Sequence, residues 1–130
     1  MKTMFTFLLL AVIVVGSVWL MGVGPFQIQK SYKNIDVSEF KKLSANGDTI
    51  ILDVRTDQEF TSGHIAGAEH VNVLESDFLT HIRRYDPNKT YLIYCRSGNR
   101  SRRAARIMAQ AGFEHLYNLK GGYLSWTQKN

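Results

Sequence analysis

Cys95 is the only cysteine in the chain. One thiol can form neither an intramolecular disulfide nor a multi-cysteine zinc site. The ordinary explanation of a lone cysteine is packing, and the neighbours of Cys95 argue against it. An apolar run, Tyr91-Leu92-Ile93-Tyr94, leads directly into it. A polar loop, Arg96-Ser97-Gly98-Asn99-Arg100, separates it from a helix expected to begin near Ser101. A strand, a tight loop and a helix start would set the thiol at the carboxyl edge of a sheet. Loop amides and the positive end of the helix dipole would face it, and both favour an anion. A thiolate held this way is the reactive form of cysteine. Gly98 and Asn99 are residue types that tolerate the positive φ such a curl requires.

Arg96, Arg100, Arg102, Arg103 and Arg106 crowd the same segment. For Arg103 and Arg106 a solvated helix face explains the charge equally well. Arg96 and Arg100 lie inside the loop, where binding an anion is the better reading.

The elements that must position this loop alternate in type. Ile35-Asp36-Val37 is a short strand candidate. Ser38 can cap a helix through Leu43, with Glu39 in its first turn. Asn46-Gly47-Asp48 signals a turn. The continuous apolar run Thr49 to Val54 suits a strand buried on both faces. Val71-Asn72-Val73 is a brief third strand. Phe78, Ile82 and Tyr85 mark one face of a helix that stops at Asp86-Pro87. The helix after Cys95 places Ala104, Ile107, Met108 and Ala111 on one face, with Gly112 just past its end. His115 to Leu119 is a last strand. Tyr123, Leu124 and Trp126 belong to a short terminal helix. This order predicts an α/β domain: a central, mainly parallel five-stranded sheet with helices on both faces. Ligands of such sheets bind at the carboxyl ends of the strands.

The loop Cys95-Arg96-Ser97-Gly98-Asn99-Arg100-Ser101 resembles the active-site loop of rhodanese-type sulfurtransferases. Asp53-Val54-Arg55, Glu59-Phe60 and Gly63-His64-Ile65-Ala66-Gly67-Ala68 resemble that family's upstream signature. Gly121-Gly122-Tyr123 followed by Trp126 resembles its carboxyl-terminal one. The blocks come in family order and cover residues 33–130, which sets the expected extent of a single rhodanese-like domain. The resemblance implies that Cys95 takes sulfur from a donor such as thiosulfate and passes it on as a persulfide. The acceptor would be cyanide or a cellular thiol. Amides from Arg96 to Ser101 would stabilise the anionic sulfur, and Arg96 and Arg100 would orient the dianionic donor. Asp53, Arg55 and His64 would support the loop rather than react, since a thiolate held by amides needs no separate base. His70, His81 and His115 have no motif around them, and Tyr123 and Trp126 read as core. Neither a metal nor an organic cofactor is implied.

Two rivals stay open. A phosphatase or arsenate reductase could use the same cradle. The related phosphatases place five residues between Cys and Arg; here four separate Cys95 from Arg100 and six separate it from Arg102. A non-catalytic module, or one relaying sulfur to a protein partner, is the other. Such family members often lack the cysteine that this chain retains.

Ahead of the domain, residues 4 to 24 carry no charge, while Lys2 precedes the run and Lys30 and Lys33 follow it. A helix of that length reaches about 30 Å, the hydrocarbon thickness of a bilayer. Apolar character continues past the weak cleavage candidate at Val15-Gly16-Ser17, and Pro25 follows the other candidate at Gly22-Val23-Gly24. Residues 1–24 are therefore expected to form an uncleaved transmembrane helix that anchors the domain to a membrane, joined by a tether at 25–32. A cleaved signal leading to secretion is the alternative. The flanking lysines barely choose a side; the expected placement of the domain is outside the cytoplasm.

The 130 residues leave room for one domain. A formal net charge of +5 suits small anions, an acidic partner or an anionic membrane surface. Nucleic acid is not an expected partner, because no aromatic stacking platform accompanies the arginines.

Overall fold

The computed structural model describes residues 32–129. The expected helix over 1–24, and all of the tether except Tyr32, lie outside the described residues. Among the described residues no helix is long and apolar enough to cross a membrane.

Strands and helices alternate along the chain. They are β1 (Lys33–Ile35), α1 (Val37–Ser44), β2 (Thr49–Asp53), α2 (Asp57–Thr61), β3 (Glu69–His70), α3 (Phe78–Ile82), β4 (Thr90–Tyr94), α4 (Asn99–Gln110), β5 (His115–Leu119) and α5 (Gly122–Gln128). The strands form one five-stranded sheet in the order β1-β5-β4-β2-β3. Every pairing in it is parallel. From β2 the chain moves outward to β3 at one edge. From β4 it moves the other way, to β5. The carboxyl ends of β2 and β4 therefore flank the point where the winding reverses, the usual place for a ligand in such sheets.

β4 lies at the centre and is buried on both faces, as its unbroken apolar run implies. Tyr91 and Ile93 share one cluster with Leu52, Phe78, Ile82, Ala104, Ala105 and Met108. Leu92 and Tyr94 face the other way, towards Phe40, Ile65 and Leu119, with Trp126 packed against them. The floor under Cys95 is thus a strand held from both sides.

Several boundaries differ from the sequence expectation. Asp36, not Ser38, caps α1: its Oδ1 accepts the Glu39 N–H at 2.9 Å. That start turns Val37 and Phe40 into the core and ends β1 at Ile35. The third strand is Glu69–His70 rather than 71–73. The amides of Val71 and Val73 still donate to the Asp53 and Val54 carbonyls, at the last residue of β2 and one beyond it. α3 ends at Ile82, and Tyr85 follows in a turn, packed edge-on against Tyr91.

α4 begins at Asn99, two residues before the expected Ser101, because Gly98 with φ +105° forms its cap. Asn99 is itself helical, so the positive φ falls on Gly98 alone of that pair. Ala104 and Met108 are buried as expected. Ile107 is half-buried and Ala111 exposed, and Ser101, Ala105 and Ala109 complete the buried face. Gly112 takes the residue past the cap with φ +104°. Gly112 N–H donates to Ala109 O and Phe113 N–H to Met108 O, the paired bonds that close a helix on a glycine.

Candidate active site

Cys95 directly follows β4 and is buried. Its Sγ accepts a hydrogen bond from the Gly98 amide at 3.1 Å and from Ser101 Oγ at 3.3 Å. Burial pushes the thiol up. The Ser101 hydroxyl and the amides of Ser101, Gly98 and Ser97 together outweigh it and hold the thiol below its ordinary value. Arginine charge is not the main cause; the local donors are.

The amides point inward because the carbonyls are drawn outward. Tyr123 N–H donates to Cys95 O at 2.8 Å and Leu124 N–H to Arg96 O at 3.1 Å. Both donors belong to the first turn of α5, where helical amides lack internal partners. The approach is close: a Cβ on Gly122 would stand 2.5 Å from Cys95 O. The Gly121-Gly122 pair, with φ of +75° and +58°, thus lets one helix start clamp the back of the loop.

The two loop arginines, treated alike in the sequence expectation, stand in different surroundings. Arg96 is exposed and lines an open cleft of about 300 Å³, together with Arg55, Gln58, Ser62, Tyr123 and Leu124. Arg100 instead gives both terminal nitrogens to Glu59 of α2, at 2.7 and 2.8 Å. That bond, more than any other influence, holds the Glu59 carboxyl at about 2. Ser97 is exposed and contributes through its amide. The exposed Asn99 accepts a bond from Arg102.

Asp53 and Arg55 form a buried pair at the end of β2. Arg55 Nε lies 3.0 Å from both Asp53 oxygens, and its Nη2 lies 2.7 Å from Oδ2. The same Nη2 donates to Gly63 O at 2.6 Å. The guanidinium sits 4.3 Å from the centre of the Tyr123 ring. Arg55 therefore ties β2, the 63–67 turn and α5 into one support behind the loop. Tyr94 adds to it by accepting the Ile65 N–H at 3.0 Å.

His64 is exposed, stacked on Phe60 with centroids 3.8 Å apart, and its Nδ1 pairs with Phe60 O at 2.9 Å. These contacts hold the turn after α2 against the last residues of that helix. Three residues had no place in the sequence reading of the site: Glu59 as a partner of Arg100, Asn118 and Asn34. Glu59 sits three residues after Thr56 in a capping box, a signature legible in sequence. Asn118 is a buried polar residue between Tyr117 and the buried Leu119 of β5, which is a signal in itself.

The family model described as a rhodanese-like domain matches residues 36–129. The chain belongs to that family. Its rhodanese-like domain is 35% identical over 96 residues to the thiosulfate sulfurtransferase GlpE of Ectopseudomonas mendocina, spanning 73% of this chain and 84% of that protein. A rhodanese-like domain protein from Staphylococcus aureus has the same fold with a TM-score of 0.64 at 29% identity, over 72% of this chain and 90% of that one. The human single-domain sulfurtransferase TSTD1 shares the fold at 23% identity and a TM-score of 0.66, over 77% of this chain and 99% of that one.

Proposed function

We propose that this rhodanese-like domain is a sulfurtransferase in which Cys95 carries the sulfur. The Cys95 thiolate attacks the outer sulfur of thiosulfate. A new S–S bond forms, the S–S bond of the donor breaks, and sulfite leaves with the electron pair. Cyanide or a thiolate then attacks the outer sulfur of the persulfide anion. The product, thiocyanate in the case of cyanide, departs and the Cys95 thiolate returns. Charge and sulfur balance in both halves, and no base takes part once the thiolate exists.

The observation that carries this reading is the donor set on Sγ. The Gly98 amide and the Ser101 hydroxyl both point at it, and the same donors suit a persulfide anion extended into the cradle. Arg96, exposed beside the cleft, supplies the positive charge that meets a dianionic donor. Arg100, Asp53 and Arg55 hold the frame, and His64 the turn behind it. The likeness to thiosulfate sulfurtransferases supports the choice of donor.

The test is mass spectrometry after incubation with thiosulfate. One sulfur atom should be added at Cys95 and released as thiocyanate on adding cyanide. An unmodified thiol, or phosphate release from a phosphoester without thiocyanate formation, would sink the reading.

Residues 1–24 are proposed as a membrane anchor with the domain outside the cytoplasm, on the strength of their charge-free run. Protease added to intact cells should then remove the domain. Protection of the domain would reverse the orientation.

A further inference from the structure

A chain of hydrogen bonds leads from the thiol to the surface. Ser101 is fully buried. Its Oγ lies 3.3 Å from Cys95 Sγ, 3.1 Å from Gly98 O and 2.5 Å from Asn118 Oδ1. Asn118, 2% exposed, reaches on through Nδ2 to Asn34 Oδ1 at 2.9 Å. Asn34 is exposed on the edge strand β1.

A hydroxyl has one proton to donate, and three acceptors surround this one. Gly98 O has another donor, the Arg102 amide at 3.2 Å. Sγ and Asn118 are left to compete. While Cys95 is a thiol, Ser101 can donate to Asn118 Oδ1, its shortest contact, and Asn118 to Asn34, which leaves Ser101 Oγ to accept from the S–H. A thiolate reverses the demand, because it needs the Ser101 proton. Ser101 Oγ then faces Asn118 as an acceptor and requires an N–H. A half-turn of the Asn118 amide supplies one, since its oxygen and nitrogen occupy equivalent volumes. Asn118 Oδ1 then meets Asn34, which turns its own amide at the surface and donates. Every buried polar group is satisfied in both directions.

We infer that Asn118 and Asn34 are positioning residues for the nucleophile: with Ser101 they form a chain that runs one way for the thiol and the opposite way for the thiolate. No proton travels along it; the thiol proton leaves to solvent and the amides only turn. Asn118 thereby fixes whether the Ser101 hydroxyl is available to Sγ. The charged groups facing the site are Arg100 of α4, paired with Glu59 of α2, the Asp53–Arg55 pair at the end of β2, and Arg96 in the loop. Replacing either asparagine by an apolar residue leaves all of these charges unchanged, so an effect on the thiol passes through the hydrogen bonds.

The inference rests on Cys95 as the nucleophile, and the experiment keeps the two apart. The chain has a single cysteine, so the ultraviolet absorbance of its thiolate can be followed against pH, with Cys95→Ser as the blank. Asn118→Leu removes the N–H that Ser101 Oγ accepts while donating to the thiolate, and should raise the midpoint by about one pH unit, about tenfold less thiolate at a given pH; a lowered midpoint would make Asn118 only a competing acceptor and overturn the inference. Asn34→Ala, at an exposed position where water partly substitutes, should raise it by about 0.3 unit, a factor of about two. In a Ser101→Ala background neither change should move the midpoint further. A purely structural role for the asparagines would lower the melting temperature and leave this dependence on Ser101 absent.

Midpoints unmoved by both variants, or moved equally with and without Ser101, overturn the inference while a low wild-type midpoint leaves the nucleophile intact. A wild-type midpoint at the ordinary thiol value overturns both. If Asn118→Leu fails to fold, Asn34→Ala in the two backgrounds decides alone.

Discussion

Arg100 places both terminal guanidinium nitrogens on the two carboxylate oxygens of Glu59, at 2.7 and 2.8 Å. The pair ties α2 to the first turn of α4. A bare cation there would oppose the helix dipole, whose positive end also lies at that turn. Glu59 offsets that charge. What remains to attract an anion is the set of loop amides and Arg96.

Removing this pair should cost stability in a pH-dependent way. The Arg100 hydrogen bond is the largest cause holding the Glu59 carboxyl at about 2, below its usual 4.5. Its contribution is thus complete above the usual value and is lost as pH falls towards 2. Glu59→Gln should be about 1 kcal/mol less stable at neutral pH, a small figure because both partners are partly solvated. Urea denaturation should show the gap closing between about pH 5 and about pH 2. A gap that does not change with pH would mean that packing, not charge, is what Glu59 contributes.

Arg96 and Arg100 should fail in different ways. Arg96→Ala leaves the frame intact and removes a charge beside the cleft. The KM for thiosulfate should rise about tenfold with kcat nearly unchanged, as expected for lost uniform binding. Arg100→Ala leaves Glu59 without its partner and should lower the melting temperature first. Steady-state kinetics beside thermal melts would separate the two. Equal effects of both on KM would restore the simpler view that both arginines hold the donor.

Persulfide formation should set in at lower pH than it would with an ordinary thiol. The hydrogen bonds on Sγ outweigh the cost of burial and lower the thiol. The rate with thiosulfate should climb with the thiolate fraction and level off below the ordinary thiol value of 9.0. Ser101→Ala removes the strongest of those bonds. Its profile should shift upward by about one pH unit. Stopped-flow rates across pH give both curves, and superimposable curves would remove Ser101 from the account.

The strongest local patterns were the most legible in sequence. The unbroken Tyr91–Tyr94 run does mark the central strand, and Gly112 does close α4. The loop was recognisable because Cys95, Gly98 and Ser101 fall in one short stretch. Boundaries shifted where two residues compete for one task, as Asp36 and Ser38 do for the cap of α1. What could not be read was pairing across the fold. Glu59 and Arg100 are 41 residues apart, and Asn34 and Asn118 are 84 apart. Periodicity carries no information about such partners. Sequence alone therefore does not separate Arg100, which Glu59 occupies, from Arg96.

Gly122 offers the sharpest test of how the cradle is shaped. Its φ is +58°, and a Cβ there would stand 2.5 Å from Cys95 O and 2.6 Å from Arg96 C and O. Those are backbone atoms of the loop, so relief requires α5 to move away. The Tyr123 and Leu124 amides would then leave the Cys95 and Arg96 carbonyls, and the loop would lose the pull that turns its own amides inward. Gly122→Ala should cost about 2–4 kcal/mol. It should also reduce thiocyanate formation about a hundredfold in the protein that remains folded, roughly the effect of losing one preorganised donor. Gly67 is the matched control: its φ is +78°, yet a Cβ there meets nothing within 4 Å. Gly67→Ala carries the backbone strain without the contact and should cost about 1 kcal/mol with activity retained. The difference between the two variants therefore isolates the clamp from the strain. Wild-type turnover in folded Gly122→Ala would show that the amides hold their direction without α5.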